Sequence, residues 1–143
     1  MSRSALHYGT KYSRAIAPPA AAPTGTTAIV STILDMAGFD QNEFVLITGS
    51  IADVDATFTI LVEDGNNSSL TDNAAVADAN LLGTESPAFL FSDDNKTFKI
   101  GYIGPKRYLR VTITPAANSG DFAHAAMWVQ GVPRTEPQST QIV

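Results

Sequence analysis

Three cations and two phenols fall within nine positions: Tyr102, Lys106, Arg107, Tyr108 and Arg110. Such a basic-aromatic patch can stack and neutralise single-stranded nucleic acid, or it can dock on the carboxylates of another protein. A second set of the same type lies near the N-terminus, where Arg3, Tyr8, Lys11, Tyr12 and Arg14 interleave with His7. Tyrosines are amphipathic anchors, and two of them beside three bases suit docking on a protein surface. Carboxylates also come in pairs, as Asp53 with Asp55, Glu63 with Asp64, and Asp93 with Asp94. Paired acids can flank a glycosidic bond, and Asp53/Asp55 or Asp64/Asn66 can offer oxygens to calcium. All of them sit in or beside turn signals, where Asp and Asn are ordinary caps. Ser119, Asp121 and His124 have the types of a nucleophilic triad without its sequence context, and His124 reads as a hydrogen-bonded strand residue. Trp128 is a candidate sugar platform, and more simply an aromatic at an interface or sandwich edge.

Other chemistries have no residues to carry them. The chain has 143 residues, two histidines and no cysteine, so disulfides, thiolate metal sites and cysteine nucleophiles are excluded. No glycine-rich phosphate loop or nucleophile elbow is present. The motifs Asn66-Asn67-Ser68, Asn67-Ser68-Ser69 and Asn95-Lys96-Thr97 match the glycosylation pattern but read as turns. Met1 to Arg14 has no apolar run after its bases and does not read as a secretory signal. No apolar stretch approaches the roughly 20 residues of a membrane helix. We therefore expect no cofactor, no metal, no membrane partner and no enzymatic activity.

The net charge of −5 is segregated. Residues 35–94 hold twelve acids and no Lys or Arg, whereas residues 96–110 hold five bases and no acid. An acidic body argues against nucleic acid as a partner. It also offers bases of one copy a place to bind on another, which predicts a homo-oligomer.

The elements that position these residues read as strands. Ala56–Glu63 alternates with Phe58, Ile60 and Val62 on one side. Lys96–Ile103 alternates likewise, and so does Lys106–Thr114, with Leu109, Val111 and Ile113 inward. Gly104-Pro105 between these two predicts a hairpin. Phe44 and Leu46 complete the expected core with Phe98 and Ile100. Ala28–Leu34 and Phe122–Val129 are further strands, and residues 70–92 hold a short strand or a helical turn. Pro18, Pro19 and Pro23 favour extended backbone. The organisation predicted is an extended arm over 1–26, a domain over 27–133 and a polar tail over 134–143. The fold class is all-β, an antiparallel sandwich or a jelly-roll-like barrel.

The stretch from Lys99 to Pro115, with Gly101-Tyr102-Ile103-Gly104 followed by Lys106-Arg107-Tyr108 and Arg110-Val111, resembles a phrase of small virion proteins of tailed bacteriophages. Gly131-Val132-Pro133-Arg134 and Pro137 resemble their ending, and Gly38-Phe39-Asp40 to Gly49 is similar to their acidic turn and strand. The likeness extends over about residues 27–137. It implies a head decoration or cement protein on the capsid surface of the virion, with the major capsid protein as partner. A tail or head–tail connector component is the alternative it leaves, and a surface carbohydrate-binding module is another reading. Three-fold lattice sites would favour a trimer.

Overall fold

The alternating segments sort into two sheets in a computed structural model that describes residues 4–85 and 89–138. In chain order the strands are β1 (Thr10–Ile16), β2 (Ile29–Val30), β3 (Leu34–Asp35), β4 (Phe39–Ile51), β5 (Thr57–Gly65), β6 (Ala74–Ala75), β7 (Leu81–Leu82), β8 (Phe89–Leu90), β9 (Thr97–Tyr102), β10 (Tyr108–Ala116) and β11 (Phe122–Pro133). A one-turn helix, α1 (Ala5–Tyr8), precedes them. One sheet has the order β1-β11-β4-β9-β7. The other has β2-β10-β5-β6, with β3 also on β10 and β8 on β5. All pairings are antiparallel. The sheets stay open, so the fold is a sandwich and not a barrel.

Side chains of period two fill the space between the sheets. From the six-stranded sheet come Phe58, Ile60, Val62, Leu109, Val111 and Ile113; from the five-stranded sheet come Phe44, Leu46, Ile100, Ala126 and Trp128. The expected core is all there, with Phe98 only partly buried at its margin. Rings bridge and line the layers: Phe58 of one sheet lies 4.3 Å from Phe122 of the other, and within the five-stranded sheet Trp128 meets Phe44 edge-on at 5.2 Å. Each such burial stabilises by roughly 1.5–3 kcal/mol. Trp128 is 1% exposed, which rules it out as a sugar platform.

Two expectations are corrected. Thr10–Ile16, read from sequence as part of an arm, is an edge strand paired along β11 from Thr10↔Gly131 to Ile16↔Ala126. Its Lys and Arg belong to an edge strand, where charge deters stray pairing, and Ala15 and Ile16 are buried. The prolines come only after Ile16 and leave β1 free to pair. Second, β9 and β10 are not a hairpin. β9 pairs with β4 and β7, whereas β10 pairs with β5, β2 and β3, so residues 103–107 cross from one sheet to the other. Periodicity sees two adjacent strands; it does not see which neighbours each one takes. In the ambiguous 70–92 stretch both alternatives occur, as β6 and β7 around a 3₁₀ turn at Asp78–Asn80.

Candidate interaction surface

The crossover after β9 is fixed from below by a phenol. The Tyr102 hydroxyl donates to Asp64 Oδ2 at 2.6 Å and accepts from the Lys106 backbone N–H at 3.0 Å. This bond joins β9 of one sheet to β5 of the other. Tyr102 is 4% exposed, and burial followed by the Asp64 bond pushes its phenol well above the ordinary tyrosine value. A Cβ on Gly104 would collide with the same hydroxyl, which is why a glycine starts the turn. Tyr102 is therefore a positioning residue inside the fold and not the surface contact expected of it.

The bases beside it are mostly spent within the chain. Arg107 donates from Nε and Nη2 to the two oxygens of Asp35, at 2.9 and 2.8 Å, and its guanidinium lies over the Tyr108 ring. The Arg107 bonds hold the Asp35 carboxyl below the usual carboxylate range. Arg110 donates twice to Glu63 Oε2, at 3.1 and 2.7 Å, while Asn73 donates to Glu63 Oε1. Arg107 and Arg110 were expected to meet acids of a neighbour; they meet Asp35 on β3 and Glu63 on β5, because β10 lies between those strands. Tyr108 is half-buried in the same row.

What stays open is a cleft of about 540 Å³ at this end of the sandwich. The β3–β4 turn walls one side. There the Phe39 N–H donates to the Met36 carbonyl, and Gly38 takes φ 89°, a value suited to glycine. The crossover with Lys106 walls the other side, and Arg134 lines the cleft after its N–H has donated to the Gly38 carbonyl. Lys11 lies 5.6 Å from the Phe39 ring centre nearby. Lys106, Arg134 and Lys11 form no ion pair among the described residues. Tyr8 is on α1, 45% exposed, and its carbonyl accepts from the Gln138 N–H. Tyr12 and Arg14 point outward from β1. Arg3 lies outside the described residues, as do 139–143 of the tail.

The remaining chemical candidates serve the fold. Asp53 accepts from Ser119 Oγ at 2.6 Å and from the Ser119 and Asp55 backbone, which holds its carboxyl low. That takes Ser119 away from His124, whose Nδ1 faces the Phe122 carbonyl at 3.0 Å and whose burial pushes its pKa down. Asp72 closes the turn at Asn66 and Asn67. Among the described residues no three His, Cys, Asp or Glu are placed to hold a metal, and no helix is long and apolar enough to cross a membrane.

One surface was missed in the sequence. β11 buries Phe122, His124, Ala126 and Trp128, so Ala123, Ala125, Met127 and Val129 face outward. Registered beside them on β4 are Val45 (opposite Met127) and Ile47 (opposite Ala125), with Tyr12 of β1 opposite Val129. A Cβ on Gly49 would come within 3.0 Å of the Ala123 Cβ, which keeps this face flat. The charges in register with these rows are Arg14, Lys99 and Glu43. The available signal was that β11 and the middle of β4 are apolar on both sides, a pattern of strands covered on both faces.

No protein-family model matches the chain, and no curated protein matches it. Among solved structures it is similar to the capsid of Ralstonia phage GP4, at 12% identity over 92% of this chain and 86% of that one, with a TM-score of 0.47. A family two carbohydrate esterase from Cellvibrio japonicus is 11% identical over 94% of this chain and 36% of its own, at 0.38. The infectious bursal disease virus VP2 subviral particle gives 9% identity and a TM-score of 0.51 over 87% of this chain. This chain spans 32% of that VP2 chain, and the likeness is one of fold.

Proposed function

We propose that the chain is a non-enzymatic virion structural protein, a decoration or cement protein that binds the outer head surface and links neighbouring subunits of the major capsid protein. The observation that carries this reading is where the polar chemistry goes. Asp53 and Asp93 close turns, Arg107 and Arg110 pair with Asp35 and Glu63, and the buried Tyr102 fixes a crossover, while the outward rows of β11 and the middle of β4 are left apolar. Such a molecule is equipped to be held between proteins. The fold likeness to a chain that builds a viral particle, and the resemblance of residues 99–115 to small phage virion proteins, support the same reading. The cleft end, with Lys11, Lys106, Arg134 and Tyr8, is the part offered to the capsid. Glycan binding would need Trp128 or Tyr102 exposed, and both are buried.

The test is quantitative proteomics on purified particles of the virus that encodes the chain. The reading expects the chain in stoichiometric ratio to the major capsid protein, and expects K106E/R134E to lower that ratio. Absence from particles, or a few copies confined to tails, overturns it.

A further inference from the structure

Among the described residues the outer face of the five-stranded sheet pairs with no other element, and its size makes that notable. Four strands at ~4.8 Å spacing and four rows at ~6.7 Å give roughly 500 Å². That area, charged residues included, is over half of the ~800 Å² per partner of a standard interface. Tyr12, Val45, Ile47, Ala125, Met127 and Val129 make its apolar part.

The charges on the face select the occupant. Arg14 forms no ion pair among the described residues, and Lys99 sits 3.7 Å from Glu43. The face therefore carries an excess of positive charge in a molecule of net charge −5. A two-fold contact of the face with itself would bring together two surfaces of the same net sign, which electrostatic complementarity disfavours. The complement lies at the far end of the same sandwich. There the β4–β5 turn presents Val54, 68% exposed, between Asp53 and Asp55. Asp121 is at this end too, because its carbonyl accepts from the Ala52 N–H. Asp93 and Asp94 join them through the Asn95 N–H bond to the Gly49 carbonyl, with Lys96 as the local base.

We propose that the outer face of the five-stranded sheet receives the acidic, Val54-tipped end of a second copy, giving a heterologous contact that closes into a ring. Arg14 supplies the charge, the apolar rows take Val54 and its surroundings, and the cleft ends of all copies are left pointing outward. The contact names the oligomer interface of the proposed cement protein, but it is a property of the isolated chain and stands or falls without the capsid.

Sedimentation velocity of the full purified chain across a concentration series, at low and high salt, tests it. The wild type should self-associate to one closed species, more weakly at high salt. Arg14→Glu and Asp55→Arg should each weaken association about tenfold or more, and the double variant should recover much of the loss. Met127→Lys should abolish association with an unchanged melting temperature, while Met127→Leu keeps it. A chain that stays monomeric throughout, or an oligomer indifferent to both Met127→Lys and Arg14→Glu, overturns the inference. Monomers that still bind particles would overturn this contact and leave the cement reading intact; rings that ignore particles would do the reverse.

Discussion

The two outward faces of the sandwich were built by the same alternation and differ in how their charges are paired. On the six-stranded sheet, Thr57, Thr59, Thr112 and Thr114 face outward together with the exposed Leu61, Val30 and Leu90, and the charges among them are closed by Arg110–Glu63 and Arg107–Asp35. On the five-stranded sheet the outward rows of β11 and the middle of β4 are Ala, Val, Ile and Met, flanked by Tyr12, the Lys99–Glu43 pair and Arg14, which forms no ion pair among the described residues. Threonine suits a half-wet strand surface, and cross-strand ion pairs consume the cations. On the first face the charges are paired within the chain. The second buries its apolar rows only when another protein covers it. A basic cluster in sequence is thus poor evidence for an interface until the strand order shows which acids lie next to it.

The contrast can be broken most severely from inside. Val111 lies between outward Arg110 and Thr112 and is fully buried. Val111→Asp should cost several kcal/mol and unfold the chain, because an unpaired charge would enter the core. Thr112→Asp, one position on, should shift stability by less than about 0.5 kcal/mol; equal effects of the two in thermal melts would refute the facing of β10. Tyr102→Phe comes next. It leaves Asp64 and the Lys106 N–H without their partner, at a cost of about 1–3 kcal/mol, read by urea denaturation. Arg110→Ala should cost less, about 1 kcal/mol, since the pair is only partly shielded. It should leave self-association untouched, in contrast to Met127→Lys.

The smallest effect is in pH. His124 titrates lower folded than free, because burial disfavours its cation. The unfolded chain therefore takes up the proton first, and stability present above the free imidazole value is lost as pH falls through it. A melt series between neutral and mildly acid pH should show this slope, and His124→Gln should flatten it. A slope of the same size in His124→Gln would mean that another group titrates.

Much of this was legible in advance. Phe58, Ile60, Val62, Leu109, Val111 and Ile113 announce their side by alternation, since each strand has one wet face. The facing of β11 was not legible for the same reason inverted: Ala125, Ala126, Met127 and Val129 are apolar on both sides, so period two carries no sign. β1 was hidden because Thr10–Arg14 is polar in the manner of an edge strand and leads into prolines. The fate of Arg107 and Arg110 depends on pairings 72 and 47 residues away in the chain. No local pattern encodes such distances. The resemblance of residues 99–115 to phage virion proteins named an expectation of role, yet its most distinctive residues turned out to hold the crossover together.

A reconstruction of the virion at side-chain resolution tests the central claim most directly. The account predicts rings of this sandwich on the outer head surface, with Met127 and Val129 buried against the Asp53–Asp55 end of the next copy and the threonine face toward solvent. Isolated copies with the five-stranded face open to solvent would contradict it, as would density for the chain in the tail.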